Sequence, residues 1–350
     1  MASGSRGDQH TMPRSSIIND LARFGPHVAS TPPTLADARA YCRRLARTHY
    51  ENFTVASFLV PRALRPHFHA IYAYCRWADD LADETGSADE SLALLDWWQE
   101  SLEACYRGRA THPVFVAMGE TIAEFAIPIE PFLALLTAFR RDQQQTRYAT
   151  FEDLRAYCRG SADPVGRLVL YLARAHDGER GELSDQICTG LQLANFCQDV
   201  ANDWDRGRIY LPGESWRRCG YDEAMFARRE MNAAFRRVME VEVARAEAFL
   251  IAGMPLADRM PPEFQVQIEL FARGGLAIVE AIRAIDYDVW RKRPTVGKWK
   301  KLGLLASSWW RRRRQSGIGA SPTGVALDAP TALLTSAQAN RATERQGAAS

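Results

Sequence analysis

The stretch "CRWADDLADE", Cys75 to Glu84, places Asp79, Asp80, Asp83 and Glu84 within six residues. On a helix Asp79 and Asp83, spaced i and i+4, share one face. Like charges at that spacing repel. Burying them unpaired is costly or forces one to take a proton. A divalent cation removes the conflict, and Mg²⁺ suits it, because it binds carboxylate oxygens while keeping waters that reach phosphate ligands. A solvated acidic face near a helix end would carry the same letters.

The pattern recurs in "QLANFCQDVANDWDRGRIYLP", Gln192 to Pro212, where Asp199 and Asp203 repeat the i, i+4 spacing. Gln192 and Asn195 precede them on the same stripe at steps of three and four, between apolar Leu191, Leu193, Ala194 and Phe196. An amide and carboxylate stripe on an otherwise apolar helix is expensive unless something binds there. Two such helices face to face would form a cage for several Mg²⁺ ions, and the ions would hold a diphosphate. On the first helix His69, Tyr72, Arg76, Asp79 and Asp83 follow steps of three or four. Arg76 there suits an ion pair with a carboxylate or a charge-assisted bond to a phosphate oxygen. His67 and His69 read more readily as packing or surface residues than as ligands.

The elements that must position these groups are helical. "LADARAYCRRLARTHYENF" has the helical period up to about Thr48, and "RPHFHAIYAYCRWADDLADE" has Phe68, Ile71, Tyr72, Cys75 and Ala78 in register. "SLALLDWWQESLEACYRG", "IEPFLALLTAFRRDQQQ", "DQICTGLQLANFCQDVANDW", "EAMFARREMNAAFRRVMEVEVARAEAFLIAG" and "PEFQVQIELFARGGLAIVEAIRAIDYDVW" continue the series. No strand alternation separates them. The expectation is one large all-α bundle rather than the pair of domains that 350 residues would suggest by length. Residues 1–33 read as a flexible arm, 34–305 as the folded domain, and 306–350 as a basic and then low-complexity tail.

Composition narrows the function classes. The chain is 47% hydrophobic and 25% charged with a net charge of +2, so charge selects neither nucleic acid nor an acidic partner. Seven scattered cysteines without a CxxC pair argue against a disulfide framework or a zinc site and fit a reducing compartment. No signal-peptide core and no long apolar run stands out, so a cytoplasmic protein is expected. No Gly-rich phosphate loop follows a strand, so no dinucleotide domain is visible.

These motifs resemble those of the squalene and phytoene synthase family. "YAYCRWADDLADE" is similar to its first aspartate motif, "QLANFCQDVANDWDRGRIYLP" to its second, and "YCRGSADPVGRLVL" to its Tyr-Cys…Val-Gly segment. "HYENFTVASFLVPRALRPHFHAIYAYCR" resembles the usual entry to the first motif, and the likeness runs over roughly residues 35–300. Within the family, "HYENF", "NFCQDV" and "GRIYLP" read closest to the bacterial hopanoid-pathway hydroxysqualene synthases. The resemblance implies a single-domain class I isoprenoid synthase bundle with a central apolar cavity. It implies several Mg²⁺ ions, an isoprenoid diphosphate substrate and no NADPH. The reaction it implies is conversion of presqualene diphosphate and water to hydroxysqualene and diphosphate. Such an enzyme works between a presqualene diphosphate synthase and a flavin-dependent enzyme. Head-to-head condensation of two farnesyl or geranylgeranyl diphosphates is the alternative, and a non-catalytic helical scaffold of a lipid pathway a second.

Residue by residue, the resemblance assigns Asp79 and Asp83 to the first metal pair, and Asp199 and Asp203 with Asn195 to the second. Gln192 is implied to line the cavity, Arg76 to lie near the diphosphate, and Tyr157 to lie near the reacting carbons. His49 and Phe53 match a segment over the diphosphate end, and Tyr287 a late cavity tyrosine. Arg206 and Arg208 suit a phosphate clamp or an ordinary helix end. Phe53, Tyr72, Phe139, Phe196 and Trp204 are candidates to offer π-faces to a carbocation. The chain departs from the pattern at Gln198, where condensing relatives often carry Arg, and at Cys197, where an aromatic residue is expected. "WWRRRR", Trp309 to Arg314, suits peripheral contact with the anionic inner face of a membrane, and equally a solvated basic tail.

Overall fold

The computed structural model of the protein describes residues 16–28, 31–48, 60–297, 303 and 307–308. Helix α1 (Ser16–Phe24) and α2 (Leu35–Thr48) lead, and after a short 3-10 turn come α3 (Arg65–Asp83), α4 (Ala88–Tyr106), α5 (Pro113–Phe125) and α6 (Glu130–Asp142). Then follow α7 (Phe151–Ser161), α8 (Asp163–Leu172), α9 (Gly178–Gln198) and α10 (Val200–Asp205). The set ends with α11 (Gly213–Arg218), α12 (Glu223–Ala227), α13 (Ala233–Gly253), α14 (Leu256–Arg259) and α15 (Pro262–Ala284). Among the described residues the one extended pairing is an isolated parallel bridge between Arg147 and Ile209. The all-α, single-domain expectation holds.

Local chemistry sets the ends of these helices. Thr150 and Asp153 form a capping box that starts α7, and Asp177 caps α9 by accepting from Arg180 N at 2.8 Å. Asn232 accepts from Phe235 N, which starts α13 afresh and splits the run expected over 223–253. Pro66 sits in the first turn of α3, where a missing N–H costs nothing.

The core has two centres. The first surrounds α3, where Trp77 and Trp98 stack at 5.1 Å and are fully buried with Tyr74 and Phe115. Each such ring contributes roughly 1.5–3 kcal/mol by burial. The second surrounds α9 and α13 and holds Phe226, Phe235 and Trp290. Helices α9, α13 and α15 meet at Leu250, where glycine permits close approach. A Cβ at Gly190 would lie 2.8 Å from Leu250 Cγ, and one at Gly275 2.8 Å from Leu250 Cδ2. The polar stripe of α9 is thereby held against a rigid backing. The flexible arm expected over 1–33 is corrected in part. Residues of α1 pack onto the bundle, with Ile17 buried and Asp20 accepting from Tyr41 Oη at 2.7 Å. No described helix is long and apolar enough to cross a membrane.

Candidate active site

The two acidic motifs meet across one pocket of about 300 Å³. Helix α3 contributes Asp79 and Asp83, and α9 contributes Gln192, Asn195 and Phe196. The second motif lies on a helix break, because Asp199 both ends α9 and precedes α10, which carries Asp203. The break is slight: Asp203 N still donates to Asp199 O at 2.8 Å, so the two carboxylates stay one turn apart. Leu135, Ala138, Phe139 and Asp142 enter from α6, Tyr157 and Ser161 from α7, and Arg206, Arg208 and Tyr210 from the segment after α10. That segment is tied beside α6 and α7 by Ile209 N donating to Thr146 O at 2.9 Å and Gly213 N to Tyr148 O at 2.8 Å.

The electrostatics fit a cation-binding mouth. Burial and then the neighbouring Asp83 raise the Asp79 carboxyl above its ordinary range. Burial and then Asp199 push Asp203 up to about 7, against the pull of Arg206, Arg208 and Arg293. Arg208 donates to Asp83 at 3.4 Å, while Arg293 grips both oxygens of Asp199, with Nη2 to Oδ2 at 2.9 Å. Among the described residues no three acidic, His or Cys side chains converge tightly enough to hold an ion unaided. The donor set is therefore two carboxylate pairs plus the Asn195 amide, each able to give a hard cation one or two oxygens. Water and a phosphate ligand would complete its shell, which is how Mg²⁺ is usually held.

Not every expected residue reaches this pocket. Asp80 is buried behind the face of Asp79, accepts from Arg76 Nε at 3.0 Å, and is pushed up to about 7 by burial. Arg76 also reaches Asp79 and Glu84 at 3.4 Å. It is the hub of an ion-pair cluster along α3 and does not line the pocket. Of the two roles its spacing allowed, the ion pair is the one formed here, with Asp80 one turn away as the nearer anion. Tyr287 sits in the turn after α15 with φ 62°, next to Asp286 at φ 53°, and is not among the residues lining this pocket. Two consecutive non-glycine residues in the left-handed region turn the chain back toward Asp199. Trp204 stacks on Phe226, 6.0 Å between centroids, so of the aromatic candidates Phe139 and Phe196 are the pocket residues. His67 is a packing residue, buried with Nδ1 3.0 Å from Thr121 Oγ1. His49, Phe53 and Trp309–Arg314 lie outside the described residues.

Three groups at the site escaped sequence reasoning. Asp142 accepts from Tyr157 Oη at 2.8 Å, and burial pushes its carboxyl up to about 6. A signal existed, because Asp142 continues the stripe of Leu135, Ala138 and Phe139 at helical steps. Tyr210 stacks on Phe196 at 4.1 Å and on Tyr157 at 5.8 Å. Arg293 donates to Gln198 Oε1 at 3.2 Å, while Gln198 Nε2 donates to Pro294 O. Gln198 is buried and does not line the pocket. Asp199 is thus paired with a guanidinium from 94 residues further on.

The chain is similar to known proteins. A family model described as squalene/phytoene synthase matches residues 46–300. The chain is 29% identical over 296 residues to phytoene synthase of Arthrospira platensis, covering 81% of this chain and 96% of that one. It is 30% identical over 317 residues to 15-cis-phytoene synthase of a Synechocystis species, covering 85% and 92%. Among solved structures it is 46% identical to squalene synthase HpnC from Alicyclobacillus acidocaldarius, with a TM-score of 0.70 over 73% of this chain and 97% of that one. A dehydrosqualene synthase in complex with a ligand has a TM-score of 0.73 at 24% identity over 80% and 98%, a likeness of fold.

Proposed function

The chain belongs to the squalene/phytoene synthase family, and on that premise we propose that it converts presqualene diphosphate and water to hydroxysqualene and diphosphate in a Mg²⁺-dependent reaction. The observation that carries this choice is Gln198. Condensation has to hold a second diphosphate, and relatives that perform it often have Arg there. Here the side chain is uncharged and bonded to Pro294 O, and the nearest guanidinium, Arg293, is committed to Asp199.

The division of the pocket supports the same reading. Asp79, Asp83, Asn195, Asp199 and Asp203 would hold the Mg²⁺, which supplies Lewis-acid assistance to departure of the diphosphate. Arg206 and Arg208 stand at that end as charged donors for phosphate oxygens. Leu135, Ala138, Phe139 and Phe196 line the same pocket, exclude water from an ionised carbon chain and present π-faces to it. Water capture is redox-neutral, so the proposed reaction calls for no hydride donor.

A second reading, head-to-head condensation of two farnesyl or geranylgeranyl diphosphates, is favoured by the relatives that bear the name phytoene synthase. The two readings are separated by incubating the protein with presqualene diphosphate and with farnesyl diphosphate in turn, with Mg²⁺ and without NADPH, in heavy-oxygen water. The expected result is labelled hydroxysqualene from presqualene diphosphate and little turnover of farnesyl diphosphate. Rapid formation of presqualene diphosphate or phytoene from the shorter diphosphates would replace the first reading with the second.

A further inference from the structure

Asp142 is an expensive residue for its position. It is the last residue of α6 and lines the pocket beside Leu135, Ala138 and Phe139. Its Oδ2 accepts from Tyr157 Oη at 2.8 Å, while its Oδ1 is buried and has no hydrogen-bond partner. A buried carboxylate with one unsatisfied oxygen is worse than an apolar side chain of the same size by a few kcal/mol. No ion pair joins Asp142 to a described cation. Arg208, which acts on it through space, is bonded to Asp83 instead. The phenol it holds is also confined. Tyr157 is buried between Tyr148 at 5.4 Å and Tyr210 at 5.8 Å, with Phe196 at 6.2 Å. Burial first, then Tyr210 and Asp142, raise the phenol well above its ordinary range, so Tyr157 keeps its proton and points it at the carboxylate.

Resting on the water-capture reading above, we propose that Tyr157 and Asp142 are the proton acceptor of that step, with Tyr157 touching the water and Asp142 positioning the phenol and receiving its proton. A lone pair of the water oxygen forms the C–O bond to the allylic cation. One water O–H bond breaks and its electron pair stays on the oxygen. That proton passes to Tyr157 Oη as the phenol's own proton passes to Asp142, which becomes a neutral carboxylic acid. The hydroxyl product leaves neutral, and Asp142 returns its proton to solvent once the product has left. Because the carboxylate meets the reaction through the phenol, it takes the proton of oxygen in preference to a proton from the carbon chain, so alcohol forms at the expense of alkene.

The test counts two products separately. Wild-type protein, Asp142→Asn, Asp142→Glu and Tyr157→Phe are given presqualene diphosphate with Mg²⁺, and released diphosphate and hydroxysqualene are both quantified. In Asp142→Asn and Tyr157→Phe the hydroxysqualene formed per diphosphate released falls by about a hundredfold, the low end of general-base contributions. The readout is that ratio and not the total rate, and elimination products fill the difference. Asp142→Glu restores part of the alcohol. An unchanged ratio of alcohol to diphosphate in both variants overturns the proposal, as does a proportional loss of both in variants whose circular dichroism is native. If Asp142→Asn does not fold, Tyr157→Phe, which keeps the ring, decides alone. A wild-type protein that makes no hydroxysqualene overturns the function reading and the dyad with it, a result visible before any variant is compared.

Discussion

Asp203 offers a stability experiment whose sign is set by the site. Its carboxyl is pushed from an ordinary 3.8 up to about 7 by burial and then by Asp199. A carboxyl raised in the folded state binds more protons there than in the unfolded chain between those two values, so it destabilises the fold as pH rises through that window. The shift is about 3 units, and at 1.36 kcal/mol per unit the charge of Asp203 costs about 4 kcal/mol above pH 7. Asp203→Asn removes that charge while keeping shape. In EDTA at about pH 8 the variant is expected to be more stable than wild type by up to about 4 kcal/mol, some 5–10 °C in Tm for a chain of this size. At about pH 5 only the interval above 3.8 remains, and the advantage shrinks to about 2 kcal/mol. Urea unfolding of both proteins at the two pH values measures it. Mg²⁺ with inorganic diphosphate should then stabilise wild type, by about 2.7 kcal/mol at a hundred times Kd, and the variant much less. A variant no more stable than wild type at pH 8, or an advantage that grows on acidification, would refute the argument that unneutralised charge is stored at this mouth.

Asp79→Asn and Asp199→Asn are expected to keep native circular dichroism and lose about a hundredfold or more in turnover, the equivalent of about 3 kcal/mol of lost charge stabilisation. Full activity of either variant, or of wild type in EDTA, contradicts the metal role. Arg293→Ala frees Asp199, so Mg²⁺ binding without diphosphate should tighten by roughly fivefold, the equivalent of about 1 kcal/mol for a partly exposed pair. Calorimetry showing equal or weaker binding would count against it. Gly190→Ala places a Cβ 2.8 Å from Leu250 Cγ and 2.9 Å from its backbone N, and should lower stability by about 1–3 kcal/mol in urea unfolding. A neutral result would mean that α9 and α13 can separate freely. Deleting residues from 309 onward should weaken co-sedimentation with anionic vesicles, most at low salt, and unchanged co-sedimentation leaves the Arg run a solvated tail.

What was legible in advance is what helical geometry makes local. Asp79 with Asp83, and Asp199 with Asp203, are one turn apart, so their shared faces follow from spacing. Gln192 and Asn195 follow from the same stripe, and all of these line the pocket. The bundle was legible too, since repeated apolar positions at helical period leave little else for those segments to form. Where local signals competed, spacing left the outcome open. Arg76 has Asp80 one turn on, and its guanidinium pairs with that buried carboxylate. Tyr287 lies past the helix end in a left-handed turn, which the apolar period running to Trp290 did not betray.

Tertiary structure alone decided which distant groups meet. Asp142 and Tyr157 are fifteen residues apart on different helices, and their bond exists because α6 and α7 pack together. Arg293 reaches Asp199 across 94 residues, after a strained turn whose direction no local pattern carries. Gln198 reads in isolation as a lost cation, yet in the fold it is the amide that holds Arg293 and Pro294 in place. The period of a helix determines which side chains share a face, because that geometry repeats every turn. Which face meets which is set by packing among many elements at once, and so the partners of a buried charge are settled when the bundle closes.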